Sequence, residues 1–394
     1  MTLSADTEQH TQLGGFGQSS DADAATAGRD AVRMALAGRV PAAGDLVIIF
    51  PSAAYGLEAL HDAAMAEAAP AAVVGATTVG AFTQDAQIQF GCVAAFIAGD
   101  GLSFGVSHLS RDDGDIAGST RRAAEAARDR AGEASPHSVL MLLCDGLTPD
   151  QREMARGAYE VTSAVIPLVG GAAGDDLHWQ ATSTFGEGRV LSDGLVCVWI
   201  NSETPMAVSV DHGWRPFGKP MLVTRAEGAV IHELDGQPAL DVYLSERGAA
   251  LKQDGRSWGE KCMERPIGLP NTFGRYDLRQ IHERTPDGSL VITTGVPEQS
   301  VVQVMDSDED SLLEGARQAA ATALERLGAE PRMAIVFSCC TRAPLLRERL
   351  SEEVGLISDA LGGVPTGGFY TCGEFARVTG STGIHNSSVA LLVL

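Results

Sequence analysis

The residues best suited to hold a ligand lie near the end of the chain, around Arg342. Arg342 follows the small polar run from Ser338 to Cys340 at the predicted end of a strand, and Glu374 stands in a Gly-rich turn beside Gly373. A guanidinium binds a carboxylate through parallel hydrogen bonds, so Arg342 and Glu374 are the charged anchors expected for an anionic or zwitterionic ligand. An ion pair between Arg342 and Glu374 explains the same residues equally well.

Two neighbouring cysteines, Cys339 and Cys340, precede Arg342. A nearby guanidinium lowers a thiol pKa, so either cysteine is a candidate nucleophile, and Cys340 is also a candidate ligand contact. No base is adjacent in sequence, which ranks a cysteine-dependent enzyme last. Cys372 and His385 complete a set of soft metal ligands, but vicinal cysteines are poor partners for one tetrahedral zinc ion, so we expect no metal site.

A second group of unusual side chains comprises His212, Trp214 and Arg215. These residue types are costly to expose together unless they are packed or used, so the segment is a candidate lid or wall of a ligand site. The alternative is a turn in which Trp214 fills the core, His212 makes a local hydrogen bond and Arg215 is solvated.

The sequence does not match the nucleotide-binding and catalytic motifs that we considered. The segment from Gly213 to Lys219 has the spacing of a phosphate loop, but Pro220 replaces its Ser or Thr and a strand follows where a helix is needed. The sequence has no GxSxG elbow and no HExxH metal motif. We therefore expect a binding protein rather than an enzyme.

The elements that position these residues recur along the chain. Apolar runs of strand length are each followed by a helix, a Gly-rich turn, a polar loop and a closing strand. This order predicts an α/β fold of three strand-helix-strand-helix-hairpin copies, at 14–98, 103–200 and 300–394, packed as layered mixed sheets. A β-rich insertion separates the second copy from the third.

Small ligands of open α/β sheets bind beyond the carboxyl ends of strands, where turns present backbone N–H groups. The predicted ends are at Ser52, at Cys144 and Asp145, and at 338–340. The Gly-rich turn of the second copy adds Gly174 and Asp175 as ligand contacts. For any single turn, tight backbone geometry alone is the simpler explanation. The repeat favours one geometry shared by all three turns.

Composition describes a soluble globular chain. Of 394 residues, 44% are apolar and 20% are charged, and the net charge of −22 repels nucleic acid and anionic bilayers. The seven cysteines include no CxxC pair, which favours thiols in a reducing cytoplasm. The first residues lack the regions of a signal peptide and the longest apolar runs are strand-sized, so we expect a cytoplasmic protein without membrane insertion.

The sequence resembles the FIST family of bacterial sensory proteins over nearly its whole length. The matching segments, in chain order, are 167–176, 182–185, 212–214, 234–236, 238–240 with Tyr243, 337–339 with Arg342, 367–371 with 373–374, and Asn386. Each segment is short, but their order is specific. The resemblance implies a FIST N domain at 14–225 and a FIST C domain at 226–394, and we expect a disordered N-terminus at 1–13.

The resemblance also implies a function. Such proteins sense small ligands, proposed to include amino acids or related metabolites, and signal to partners acting in trans, such as a histidine kinase or a cyclic-dinucleotide enzyme. Some relatives bind haem and respond to nitric oxide. For haem, His212 is the expected axial ligand, held non-covalently because no CxxCH motif is present. The leading hypothesis is a small-ligand sensor, with haem sensing and cysteine chemistry as alternatives.

Overall fold

The computed structural model describes residues 13–99, 101–248, 256–271, 274–378 and 383–394. The predicted disordered N-terminus at 1–13 lies outside these residues except for Leu13, whose side chain is buried. The described residues form a mixed α/β fold, as predicted, with three sheets of six strands and one sheet of eight.

The first unit of the fold alternates strands and helices. Its elements are β1 (Gly14–Ser19), α1 (Ala24–Leu36), β2 (Leu46–Pro51), α2 (Leu57–Ala68), β3 (Ala72–Ala76), β4 (Ala81–Thr83), β5 (Ala86–Ile88) and β6 (Cys92–Ile97). Strands β2 and β3 are parallel because α2 returns the chain between them, whereas β6 pairs antiparallel with β1 and β2. Helix α1 begins where the Asp23 carboxylate accepts the Thr26 N–H at 2.9 Å.

The second unit repeats this order of elements. They are β7 (Leu102–Ser110), α3 (Ile116–Arg130), β8 (His137–Cys144), α4 (Gln151–Thr162), β9 (Leu168–Ala172), β10 (Thr184–Gly186), β11 (Arg189–Leu191) and β12 (Gly194–Ser202). Asp115 and Asp150 cap the two helices, each through a backbone N–H at 2.9 Å. Acidic residues therefore start these helices, because their carboxylates satisfy N–H groups that have no partner within the helix.

The third unit begins with one strand, β13 (Ala207–Asp211), and the insertion follows. The insertion contains β14 (Arg215–Glu227), β15 (Val230–Leu234), β16 (Gln237–Pro238), α5 (Ala239–Glu246), α6 (Trp258–Cys262), β17 (Ile267–Pro270), β18 (Tyr276–Arg279), β19 (Ile281–Arg284), β20 (Leu290–Ile292) and β21 (Val301–Asp306). Its strands form the eight-stranded antiparallel sheet over a core of their own.

The rest of the third unit follows the insertion. Its elements are α7 (Glu309–Leu327), β22 (Ala334–Cys339), α8 (Arg342–Leu346), a 3₁₀ turn (Arg347–Arg349), α9 (Leu350–Ala360), β23 (Thr366–Thr371), β24 (Glu374–Arg377), β25 (Ile384–His385) and β26 (Val389–Val393). Because β13 pairs with β26, the first strand of this unit precedes the insertion, whereas the sequence placed the whole third copy at 300–394. The insertion thus interrupts the unit after its first strand.

Each six-stranded sheet combines four strands of one unit with a hairpin from another. The first sheet runs β1-β6-β2-β3 and adds β10–β11; the second runs β7-β12-β8-β9 and adds β24–β25; the third runs β13-β26-β22-β23 and adds β4–β5. Every unit therefore gives one hairpin and receives one. A threefold repeat in the sequence itself stays a prediction.

The three six-stranded sheets share a central core. Phe50 of β2 stacks on Phe369 of β23 with ring centroids 4.6 Å apart, and Phe337 of β22 meets Phe369 at 5.8 Å. Met141 of β8 brings the second sheet into the same cluster. The opposite faces are covered by α1 and α2, by α3 and α4, and by α7 and α9. Within the described residues, none of the helices combines the length and apolar character needed to span a bilayer.

Candidate functional site

A cavity of about 190 Å³, which we call the cleft, lies between the insertion and the ends of β8 and β22. Its core wall includes Thr148 and Gln151, which follow β8, and Cys340, which follows β22. Its insertion wall includes Gln280 and Thr294. The cleft therefore lies beyond the carboxyl ends of strands, the usual place for a ligand in an α/β sheet.

A buried ion pair fixes the loop after β8. The Arg111 guanidinium donates to Asp145 at 2.5 Å and to the Thr148 hydroxyl at 3.0 Å, and both side chains of the ion pair are buried. The other carboxylate oxygen of Asp145 accepts the Leu147 N–H at 2.9 Å and the hydroxyl of Thr182. The Asp145 carboxylate is thus fully engaged, and the backbone carbonyl of Asp145 accepts the Thr148 hydroxyl at 2.6 Å, which holds Thr148 in the wall of the cleft.

Cys339, Cys340 and Cys372 meet at the core side of the cleft. The Cys340 N–H donates to the Thr371 carbonyl at 2.8 Å, which extends the parallel pairing of β22 and β23 past their ends. Burial raises the pKa of Cys339 well above its ordinary value. For Cys340, the contact with Cys339 lowers the pKa, but the contact with Cys372 and burial outweigh it and raise the pKa. Both thiols stay protonated near neutral pH, which argues against a nucleophilic role.

The insertion wall carries a buried polar atom without a protein partner. Gln280 is 3% exposed, and its Oε1 accepts no hydrogen bond from the described residues. Its Nε2 donates to the Ser387 hydroxyl, and its backbone N–H donates to the Thr293 hydroxyl at 3.1 Å. That hydroxyl donates in turn to Oδ1 of Asn386 at 2.7 Å. Gln280 and Asn386 are therefore joined through Thr293 on one wall.

Trp179 forms one side of the cleft and is half exposed. Its loop is held by Asp175, whose carboxylate accepts the backbone N–H groups of Trp179 at 2.8 Å and Ala181 at 3.0 Å. Gly174 approaches Val79 so closely that a Cβ would lie 2.4 Å from the Val79 Cγ2. Asp175, a predicted ligand contact, instead positions the Trp179 loop, and Gly174 packs against Val79; neither residue lines the cleft.

Arg342 is fully buried and pairs with Glu353 rather than Glu374. Its Nε donates to Oε1 of Glu353 at 2.6 Å, and its terminal nitrogens donate to the carbonyls of His212 at 2.9 Å and Leu312 at 2.8 Å. Glu353 lies in the first half of α9, whereas Arg342 is the first residue of α8. Because its donors are turned into the protein, Arg342 is a structural ion-pair residue here, which corrects its predicted role as a ligand anchor.

Glu374 is also fully buried and does not line the cleft. Its Oε1 accepts the Thr371 hydroxyl at 2.5 Å, and its Oε2 accepts the N–H and hydroxyl of Ser388 at 3.2 and 2.9 Å. Burial raises the pKa of this carboxyl well above its ordinary value, which favours the protonated form. Gly373 has φ +142°, and a Cβ there would lie 2.2 Å from Oε1 of Gln151. Both residues shape the chain beside the cleft instead of contacting a ligand there.

The His212 segment forms a packed turn, which is the second of the two interpretations that its sequence allows. Trp214 is buried in an apolar cluster, and Arg215 is exposed and pairs with Asp308 at 2.8 Å. Nδ1 of His212 accepts the Trp214 N–H at 2.9 Å, and Nε2 lies 3.0 Å from the Tyr276 carbonyl, to which it donates. His212, Trp214 and Arg215 do not line the cleft, so none of them is its lid or wall.

Haem does not fit at His212. Both ring nitrogens are engaged by the backbone, and burial lowers the pKa of the ring. The cavity beside His212 measures about 210 Å³. Pockets for drug-sized ligands measure roughly 300–1,000 Å³, and haem is larger than most such ligands. Among the described residues, no three or more His, Cys, Asp or Glu side chains are grouped so as to hold a metal ion.

The cleft lies at the ends of β8 and β22, where a ligand is expected, but most of the predicted contact residues lie outside its walls. Of the predicted contacts, only Cys340 lines it. Asn386 carried a signal, because it belongs to the segments that resemble a known family. Gln280 and Thr294 carried none, since they lie in the insertion, where no repeat marks the end of a strand.

Comparison with protein families gives two matches. The family model described as the FIST N domain matches residues 45–237, and the model described as the FIST C domain matches residues 239–377. Together the two matches cover most of the chain.

Similar curated proteins are uncharacterized. One, from Mycobacterium tuberculosis (strain CDC 1551 / Oshkosh), is 29% identical over 235 residues, which is 57% of this chain and 61% of that protein. Another, from Methanocaldococcus jannaschii, is 28% identical over 153 residues, which is 36% of this chain and 30% of that protein. The chain thus spans 61% of the length of the mycobacterial relative.

Among solved structures, a cyanuric acid hydrolase from A. caulinodans aligns with 96% of this chain and 98% of its own. The identity is 11% and the TM-score is 0.32. At that score the likeness carries no argument about fold or activity.

Proposed function

The chain belongs to the FIST family, whose domains are sensory domains in signal transduction, and on this premise we propose that it senses a small molecule bound in the cleft. The observation that carries the proposal is that the two walls of the cleft come from different parts of the fold. Cys340 and Gln151 belong to the core, whereas Gln280 and Thr294 belong to the insertion. A ligand between these walls contacts both parts at once.

Such a ligand shifts the insertion relative to the core only if it binds one arrangement better than another. Two adjacent residues connect the cleft with the junction between the insertion and the core. Thr341 lines the cleft, and the next residue, Arg342, binds the carbonyls of His212 and Leu312. His212 lies where the chain enters the insertion, and Leu312 lies in α7, just after the chain leaves it. Movement of the insertion thus reaches α7 and its neighbours α8 and α9.

We propose that the signal passes to a separate cytoplasmic protein, such as a histidine kinase or a cyclic-dinucleotide enzyme. The family relationship supports this class of partner. A binding role is favoured over catalysis because the Cys372 thiol and burial raise the pKa of Cys340 and outweigh the opposite effect of Cys339. Haem sensing is not favoured, because His212 does not fit that group.

The proposal is tested by a thermal-shift screen of a metabolite library against three forms of the protein. The wild type is compared with Thr294→Phe, which fills the cleft, and with Val40→Phe, which adds the same ring at an exposed site. We expect at least one compound to stabilise the wild type and Val40→Phe and to leave Thr294→Phe unshifted. A library in which every compound acts equally on all three proteins would overturn the cleft as the sensory site.

Hydrogen exchange then tests the coupling. A compound that passes the screen is expected to slow exchange in the insertion strands β18 and β20, which flank the wall of the cleft, and in α7. Protection confined to the core wall would show binding without communication, and the sensory mechanism proposed here would fail.

A further inference from the structure

Three cysteines line the core side of the cleft, and the proposed function gives their thiols no role. Of the seven cysteines of the chain, all of which the structure describes, six are buried and Cys372 is partly exposed. Cys372 follows β23, and Cys340 follows β22. Cys372 is therefore the thiol that a molecule entering the cleft can reach.

The pairing of β22 with β23 makes Cys340 and Cys372 neighbours. The last paired residues are Cys339 and Thr371, and the Cys340 N–H donates to the Thr371 carbonyl at 2.8 Å. The next residues of the two chains are Cys340 and Cys372, and their thiols are in hydrogen-bonding contact. Neighbouring strands lie about 4.7–4.9 Å apart, and a disulfide needs a Cα separation of about 4.4–6.8 Å. A disulfide between these two residues therefore needs little movement of the strands.

The charge of the chain favours an uncharged oxidant. A net charge of −22 repels anionic oxidants, such as the disulfide of an acidic thiol peptide. A hydroperoxide is uncharged and small, so it can enter a cavity of about 190 Å³ without this repulsion. In reducing compartments, protein disulfides are rare and are mostly transient, catalytic or redox-sensing.

We propose that a hydroperoxide oxidises Cys372 and Cys340 to a reversible disulfide in the wall of the cleft. This inference goes beyond the proposed function, because it does not depend on a ligand held between the two walls.

The oxidation takes place in two steps. The Cys372 sulfur attacks one peroxide oxygen and the O–O bond breaks. The other oxygen takes the thiol proton and leaves as water, so Cys372 becomes a sulfenic acid. The Cys340 sulfur then attacks the Cys372 sulfur, the S–O bond breaks, and the hydroxyl leaves as water with the Cys340 proton. Two thiols thus lose two electrons, and one hydrogen peroxide gains them and becomes two waters.

Cys340 reacts second because it is buried and stays protonated near neutral pH. A protonated thiol is a weak nucleophile toward a molecule in solution. The sulfenic acid of Cys372, however, is held in contact with Cys340, and such intramolecular placement raises the effective concentration of a reactant by several orders of magnitude. The order of the two steps therefore follows from the positions of the two thiols.

The disulfide forms at a junction between two sheets. Cys372 lies between β23 of the third sheet and β24 of the second, and its N–H donates to the Ala172 carbonyl at 3.0 Å. Its own carbonyl accepts Nε2 of Gln151 at 3.2 Å. Cys340 lies two residues before Arg342, which joins the insertion to the third unit. Oxidation therefore changes the core wall of the cleft close to both contacts between parts of the fold.

The test uses the full chain, which is first reduced and then treated with hydrogen peroxide. Free thiols are alkylated under denaturing conditions, and tryptic peptides are analysed by mass spectrometry. We expect peptides 333–342 and 350–377 to be cross-linked with the loss of two hydrogens and to separate when a dithiol reductant is added. Fragmentation of the cross-linked pair should place the bond between Cys340 and Cys372.

Matched variants distinguish the three thiols. Cys340→Ser and Cys372→Ser should each abolish the cross-link, whereas Cys339→Ser, which changes the neighbouring buried thiol of the same peptide, should retain it. If a variant does not fold, the position of the cross-link in the wild type decides the question.

Four results would overturn the inference. Peroxide could leave the thiols of the cleft reduced, join Cys339 to Cys340, join Cys339 to Cys372, or convert Cys372 to a sulfinic acid without a cross-link. None of these results changes the thermal-shift screen of the proposed function, so failure of one proposal is distinguished from failure of the other.

Discussion

The buried guanidinium of Arg342 forms hydrogen bonds with three parts of the fold. Glu353 on α9 supplies the opposite charge, and the carbonyls of His212 and Leu312 supply two further acceptors. A buried charge needs this full set of partners because its transfer from water costs several kcal/mol. The residue therefore serves the junction between the insertion and the third unit.

Replacing Arg342 by Ala is expected to lower the free energy of unfolding by about 3–5 kcal/mol, because the Glu353 carboxylate is left buried without its partner. Chemical denaturation measures the change. Arg215→Ala is the matched control, since Arg215 pairs with Asp308 at the surface, and its loss should cost at most about 1 kcal/mol. Equal stability of the wild type and Arg342→Ala would contradict the structural role.

The raised pKa of Glu374 predicts that the stability of the protein depends on pH. Burial raises its pKa in the folded chain above the ordinary 4.5, so the folded state holds a proton that the unfolded state releases. Its contribution is present below the unfolded pKa and is lost as pH rises toward the folded pKa, by up to about 1.4 kcal/mol per pH unit. The Glu374→Gln variant has no ionisable group at this position, so it lacks this pH-dependent contribution to stability. Denaturation between about pH 5 and 8 should show a smaller loss of stability with rising pH in the variant.

The difference between the stability profiles of the wild type and Glu374→Gln reports Glu374 alone, because the buried histidines contribute equally to both proteins. Burial lowers the pKa of His212 and His385, so their contribution weakens in the opposite direction, as pH falls. Parallel profiles for the wild type and Glu374→Gln would mean that this carboxyl is ionised in the folded chain.

At the scale of single residues, sequence reasoning identified unusual side chains but not their partners. Arg342 and Glu374 are both special positions, yet each is buried with a partner that no spacing rule selects, Glu353 in one case and Ser388 in the other. Partners across elements depend on how helices and strands pack. Gln280 illustrates the reverse, because nothing in its neighbourhood in the sequence distinguishes it from a surface glutamine.

At the scale of elements, strands buried on both faces were the most predictable. The runs that became β2, β8 and β22 are continuously apolar because helices cover one face and the central core covers the other. Strand β13 was missed as part of the third unit because its pairing with β26 spans the whole insertion. The exchange of hairpins was missed for the same reason, since short strands carry no mark of the sheet that they join.

The hairpin β10–β11 joins the second unit to the first sheet through Phe185. This side chain is fully buried among residues of the first unit, and its ring lies 5.5 Å from that of His61. Phe185→Ala should destabilise the protein by about 3–5 kcal/mol, as measured by chemical denaturation. The control is Phe90→Ala, because Phe90 is 44% exposed, and its loss should cost only about 1 kcal/mol. A similar small effect of both substitutions would show that the hairpin adds little to stability.

At the scale of the whole molecule, the three units depend on one another. Each sheet takes two of its six strands from another unit, and all three sheets bury one face in a common core. The insertion differs, because its strands pair among themselves over a separate core. The insertion is also packed against the third unit, where Leu278 and Met305 share an apolar cluster with Leu312 and Leu346. For a ligand in the cleft to act as a signal, as proposed, it must change the packing at this junction.

Cutting the chain after the second unit tests this dependence. A fragment of residues 1–205 leaves the second sheet without β24–β25 and the hairpin β4–β5 without its sheet, and the core loses Phe337 and Phe369. We expect the fragment to show no cooperative thermal transition and to bind a dye for exposed apolar surface. The full chain should unfold its three units in a single calorimetric transition. Cooperative unfolding of the fragment near the temperature of the full chain would mean that each unit is stable alone, and the exchanged hairpins would then serve contacts between units without being needed to fold them.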